Sequence, residues 1–235
     1  MSIERKMLIS LLKLSKEGPV ITESVNKDAR LPSVTSRKLL NKLQTEGLVY
    51  IKDDNIKVDS NARLKLAVKA VGLGADVEQM SNLLCWQEFE EIAAFALRSN
   101  GYVVANNVRF KHAARKWEID VVGCRKPLVI CIDCKHWKHA IAPSALKRIV
   151  DSQVERTRAL ANSLPNIDLN LECVKWRHAR FTPSVLSLIP STFKFYEKVP
   201  IVPILQLQDF INQLPVYTES LKFFPKTFAS LSHDS

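Results

Sequence analysis

The segment that most constrains the fold is Leu128-Val129-Ile130-Cys131-Ile132, five apolar residues in a row that run straight into Asp133-Cys134-Lys135. A strand with one wet face alternates apolar and polar residues, so an unbroken apolar run between turn signals reads as a central strand. Helices and strands alternate around it. Residues 86–99 place Phe89, Ile92, Ala93, Ala96 and Leu97 on one helical face, and Asn100-Gly101 closes that helix. Strands are expected at 102–110, 116–123 and 128–135. Pro143 then opens a long amphipathic helix over 144–161 that ends at Leu164-Pro165-Asn166. A strand at 171–180, a helix at 184–188, a strand at 199–205 and a helix at 208–214 complete the reading, and the tail beyond Pro215 carries no readable period.

The first third of the chain has a different rhythm. Ile3, Met7, Leu8, Leu11, Leu12 and Leu14 have the spacing of one buried helical stripe, which Gly18-Pro19 ends. A second short helix covers 22–29. Ser33 can cap a third, which runs to Glu46 and stops at Gly47, with Leu39, Leu40 and Leu43 inward and Arg37, Lys38, Asn41 and Lys42 outward. Two strand-like runs, 48–51 and 55–58, bracket the turn-prone Lys52-Asp53-Asp54 and predict a hairpin that also carries Lys57. A Lys- and Leu-rich helix over 61–71 leads into Gly72-Leu73-Gly74, the only close pair of glycines, where a domain boundary is expected. Three helices and a hairpin resemble a winged helix-turn-helix domain, which implies that the third helix enters a DNA groove and the hairpin touches the backbone. Charge agrees: residues 1–75 hold 14 Lys or Arg against 8 Asp or Glu, more than half of the excess in a chain of net charge +10. The competing reading is a dimerisation or docking module with a solvated charged face.

A chain of 235 residues fits two such domains. With 46% hydrophobic and 25% charged residues it can bury a core in each, which excludes disorder as the main state. The pI near 9.4 points to a polyanionic partner. No apolar run approaches the roughly 20 residues of a membrane span, and Met1-Ser2-Ile3-Glu4-Arg5-Lys6 does not begin a signal peptide, so a cytoplasmic, nucleoid-associated protein without membrane partners is expected. Five cysteines, an odd number in a chain with good cores, argue for reduced thiols.

The chemistry is concentrated at the end of the apolar strand. Asp133 and Lys135 share a strand face, and Asp120 ends the preceding strand, so pairing of the two strands would bring both carboxylates together as hard oxygen ligands of the kind Mg²⁺ takes. A surface ion pair is the plain alternative, although a carboxylate on a buried strand needs a partner or a metal. Cys131, Cys134, His136 and His139 offer a zinc alternative. Cys131 and Cys134, three apart on a strand, face opposite sides, which disfavours it.

A helical Glu, a strand Asp and then Asp-x-Lys on an apolar strand resemble the PD-(D/E)XK nucleases, and most closely the Mrr-like restriction endonucleases. Phe89-Glu90, Gly101-Tyr102, Glu118-Ile119-Asp120, Cys131-Ile132-Asp133-Cys134-Lys135 and the stretch from Val199 to Leu214 carry the likeness. Two features depart from the family pattern: Asp133 stands where Gln or Glu is commoner, and Trp117-Glu118-Ile119 stand where glycines are common. The resemblance implies an α/β fold, a mixed sheet flanked by helices with the core order αβββαβ, over 86–215, after a winged helix at 1–75 and a linker at 76–85 and before a tail at 216–235. It implies Mg²⁺, with Mn²⁺ as a substitute, held by Asp120, Asp133, the Cys134 carbonyl and Glu90, with Lys135 as the catalytic lysine. Glu118 rivals Glu90 because it shares a strand face with Asp120. DNA is the implied partner, and a homodimer is how such nucleases pair two sites. Lys138, Lys147 and Gln153 are further expected contacts, while Arg148 and Arg156 fall on other sides of the long helix and read as solvated surface. The alternative in another class is a DNA-binding regulator or assembly factor that keeps the nuclease fold without turnover.

Overall fold

The computed structural model describes residues 2–135, 141–167, 169–187 and 191–228. The chain divides into two compact units, Met1–Phe89 and Glu90–Ser235.

In the first unit α1 (Ile3–Leu14) begins under a Ser2 cap that accepts the Arg5 N–H at 3.2 Å. β1 (Val20–Ile21), α2 (Thr22–Ala29) and α3 (Ser33–Thr45) follow. Pro32, not Ser33, holds the N-cap position of α3 and offers no side-chain acceptor, so Ser33 lies in the first turn instead of capping it. At the far end Gly47 takes φ 68°, and the Leu48 N–H reaches the Leu43 carbonyl while the Gly47 N–H reaches that of Gln44. This paired closure needs a left-handed residue, which is why the helix stops there. β2 (Tyr50–Lys52) and β3 (Asn55–Lys57) turn through Asp53 and Asp54, both at positive φ, and β1 adds to β3 to give the antiparallel order β1-β3-β2. Asp59 caps α4 (Ser60–Gly72). α5 (Val77–Leu83) occupies the segment read as a linker, because Met80 and Leu84 have apolar side chains to bury and do so in the core.

α6 (Trp86–Ser99) contains the division between the units and leads into the sheet. β4 (Val103–His112), β5 (Arg115–Arg125) and β6 (Leu128–Lys135) are antiparallel neighbours, and α7 (Pro143–Ser163) crosses to β7 (His178–Ser187), parallel to β6. β8 (Phe195–Tyr196), β9 (Val199–Pro203), α8 (Leu207–Tyr217) and β10 (Phe224–Thr227) complete a mixed seven-stranded sheet of order β4-β5-β6-β7-β9-β8, with β10 on β7. The helix expected at 184–188 is instead the buried end of β7 up to Ser187, because β6 and β9 supply backbone partners on its two sides. The strand expected from 171 starts only at His178, after a 3-10 turn, and part of the tail returns to the sheet as β10. All eight residues of β6 except Lys135 are buried. α7 packs Leu146, Val150 and Val154 against Val185, Val199 and Ile201, and Ala159, Leu160 and Leu164 join a cluster with Val122, Cys131 and Phe181. Gly123 marks the approach of α6, since a Cβ there would lie 2.9 Å from a Leu97 methyl. No helix among the described residues is long and apolar enough to cross a membrane.

Candidate active site

β5 and β6 pair from Arg125↔Leu128 to Val121↔Ile132, so one step further along the same register Asp120 and Asp133 stand opposite each other. The ladder on the other side of β5 passes over Asn107, which takes φ 51° between the pairs Asn106↔Val121 and Val108↔Ile119. Asp120 Oδ2 accepts the Cys134 backbone N–H at 2.7 Å, which ties the carboxylate to the adjacent strand. Asp133 is 1% exposed and its two oxygens are taken by cations: Lys135 Nζ lies 2.9 Å from Oδ1 and 2.8 Å from Oδ2, and Arg156 Nη1 lies 2.5 Å from Oδ1. Both cations keep about a quarter of their side-chain surface open, so the buried carboxylate faces solvent only through them.

Electrostatics follow from this packing. Burial pushes the Asp120 carboxyl above its ordinary range and the Asp133 charge adds to the shift; the Cys134 N–H, Lys135 and Arg156 pull it back. Burial also raises the Cys134 thiol, and the charges of Asp120, Glu90 and Asp133 reinforce the effect, so all three carboxylates act on this one position. Glu90 is buried at 5% exposure on α6, whereas Glu118 is exposed and ion-paired to Arg109 at 3.1 Å. Glu118 is thus committed to a surface ion pair, whereas Glu90 is buried and its charge acts on Cys134.

Among the described residues no three His, Cys, Asp or Glu side chains form a metal cluster. What the site offers is the pair Asp120 and Asp133. Mg²⁺ is commonly held by one or two carboxylates and its own waters, so the donor chemistry of the pair fits that ion, although Lys135 and Arg156 occupy the Asp133 oxygens in this structure. Of the four residues of the zinc alternative, Cys131 and Cys134 are buried on β6, and His136 and His139 lie outside the described residues, as does Lys138.

Several expected contacts are placed differently. Gln153 is fully buried and donates from Nε2 to the Cys131 carbonyl at 2.7 Å, so it anchors α7 to β6 and does not face a phosphate. Lys42 points to Glu4 Oε1 at 3.0 Å, held by the neighbouring helix. Arg37, Lys38 and Asn41 are exposed along α3, Lys52 and Lys57 on the hairpin and Lys147 on α7. Arg156 was expected to be solvated surface and instead touches Asp133. The signal for it was its position three residues after Gln153, on the helical face that meets β6.

Residues 86–180 match the family model of the nuclease-related domain. An uncharacterized protein of Archaeoglobus fulgidus is 28% identical over 142 residues, covering 59% of this chain and 98% of its own. A crystal structure of a protein of unknown function has a TM-score of 0.29 at 16% identity, covering 42% of this chain and 46% of its own. A Vibrio cholerae protein of known structure has a TM-score of 0.42 at 12% identity, covering 92% and 51%. The chain thus spans about half the length of these two solved proteins. The family match supports a nuclease-like domain in this segment.

Proposed function

We propose that the protein is a divalent-metal-dependent DNA endonuclease of the Mrr-like PD-(D/E)XK kind, delivered to DNA by an N-terminal winged helix. The observation that carries the reading is Asp120 beside Asp133 on paired strands, with Lys135 bonded to Asp133, inside the nuclease-related segment. In this reading Asp120 and Asp133 would hold Mg²⁺ or Mn²⁺, and the buried Glu90 would add negative charge to the site. A divalent ion there would supply Lewis acidity and a water acidic enough to act near neutral pH. Lys135, oriented by Asp133, sets a fixed positive charge where negative charge develops on the phosphoryl oxygens. For the N-terminal unit the support is the order of three helices and a three-stranded sheet, with Arg37, Lys38 and Asn41 exposed on the third helix.

The test is cleavage of single-stranded, duplex, flap and junction DNA in Mg²⁺, Mn²⁺ or EDTA. Cutting should require the metal and vanish in Asp133→Ala. Lys135→Ala should slow it by about 10²–10³, the usual effect of removing one preorganised donor, and leave binding intact. One observation favours the non-catalytic regulator instead: Asp133 is already neutralised by two cations of its own chain. Binding without cutting under every condition would establish that reading.

A further inference from the structure

The β4–β5 hairpin is longer than the sheet that holds it. Among the described residues β6 pairs β5 only from Val121 onward, so residues 115–120 of β5 have β4 as their one described strand partner and form a two-stranded arm. At about 3.4 Å per residue that arm is roughly 20 Å long, with Asp120 at its root. It ends in Ala113-Ala114, both at positive φ (48° and 60°), a conformation that alanine adopts reluctantly and that keeps the tip free of long side chains.

The two faces of the arm differ in kind. Val108, Phe110 and Ile119 are buried in the cluster that includes α7 residues, and Trp117 packs against it. The opposite face carries Arg109, Lys111, Lys116 and Glu118, all exposed. Arg109 and Glu118 form one rung of the ladder and neutralise each other at 3.1 Å. The next rung on the same face is Lys111↔Lys116, two like charges directly opposed. Such a rung is destabilising in the isolated protein, and neither lysine has an ion-pair partner among the described residues. Arg115 is already committed, with its guanidinium 4.0 Å over the Trp117 ring and 3.5 Å from Glu155. Trp117 is therefore covered, and its indole N–H is bonded to the His112 carbonyl. The arm offers charge without a free aromatic platform, which suits a duplex backbone and not stacked single-stranded bases.

We infer that the β4–β5 arm is a duplex-DNA contact in which Lys111 and Lys116 hold backbone phosphates beside the cleavage site, an inference that rests on the DNA reading above. Lys116 stands four residues from Asp120, about 13 Å along the strand and so about four base-pair steps of 3.4 Å from the bond to be cut.

The experiment measures binding of the full chain to a 30-base-pair duplex of roughly three helical turns in EDTA across a salt titration, for wild type, Lys111→Gln/Lys116→Gln and Lys116→Glu. Loss of two phosphate contacts should reduce the slope of log affinity against log salt by about 1.8. Lys116→Glu should weaken DNA binding yet melt at the same or a higher temperature, because it turns a repulsive rung into an attractive one; a solvated face would shift the melt without touching binding. Unchanged slopes in both variants, or no duplex binding by wild type, would overturn the inference, as would losses confined to a single-stranded probe. Cleavage assayed separately keeps the two readings apart: binding that needs the lysines without metal-dependent cutting sinks the nuclease and leaves the arm, and a metal-dependent nuclease indifferent to them does the reverse.

Discussion

Asp120 and Asp133 are both carboxylates on buried strands, yet the protein treats them differently. Asp133 is matched by direct contacts with Lys135 and Arg156, whereas Asp120 has one backbone N–H and only the more distant charge of those two cations against its burial and the charge of Asp133. Because the folded chain holds the Asp120 proton more tightly than the unfolded chain does, ionising this group opposes folding. Its contribution to stability is present below the unfolded carboxylate pKa and is lost as pH rises through the higher folded value. Asp120→Asn, whose amide oxygen can still accept the Cys134 N–H, should therefore melt at the same or a higher temperature than wild type at pH 7, with the advantage shrinking toward pH 4. A melting point several degrees lower at pH 7 would show instead that the charged form stabilises the fold. The same substitution should remove metal-dependent cleavage, so stability and activity should part at this residue. Sequence alone located Asp120, Asp133 and Lys135 because period-two alternation and an apolar run are local signals. Arg156 escaped it because the contact joins a helix to a strand 23 residues away.

Helix α6 shows how one charged residue fixes an element. Glu88, 2% exposed, accepts the Cys85 N–H at 2.6 Å through one oxygen and the Arg63 Nε at 2.6 Å through the other. The first bond satisfies a free N–H at the start of the helix, as an acid three residues into a helix does in a capping box. Arg63, 4% exposed, spends its remaining donors on the Leu12 and Leu83 carbonyls and the Ser15 hydroxyl, each at 2.7 Å, so α1, α4, α5 and the start of α6 share one guanidinium. Arg63→Met would leave Glu88 buried without its counter-charge. Breaking one side of a buried pair in this way costs about 3–5 kcal/mol, which urea unfolding would read directly; a loss below about 1 kcal/mol would place the pair among weak surface bridges. This network was not legible in the sequence, where Arg63 is one more cation in a basic helix. The helices themselves were, through their apolar spacing and their Gly and Pro stops. The end of β7 was not, because Ser184 to Ser187 is too short a run to reveal its period and is settled by strands on both sides.

At the scale of the whole molecule the sequence places a boundary at Gly72-Leu73-Gly74, where composition changes, but the first compact unit continues to Phe89. The reason is in its core. Met80, Leu84 and Phe89 are all buried, and the buried Arg63 finds two of its four partners, Leu83 and Glu88, beyond the glycines. A chain ending at Ala75 would lose the Met80 and Leu84 side chains, worth about 1.5–3 kcal/mol each when buried. It would also leave Arg63 without its carboxylate, at about 3–5 kcal/mol. Together these losses approach the roughly 5–15 kcal/mol by which a whole domain is usually stable. Residues 1–75 alone should therefore show no cooperative thermal transition, whereas residues 1–99, which retain all of α6, should melt cooperatively and bind duplex DNA through the exposed Arg37, Lys38 and Asn41. Calorimetry of the two fragments decides the point. Equal, cooperative melting of both would mean that the glycine pair is the true boundary and that the Arg63–Glu88 bond adds little.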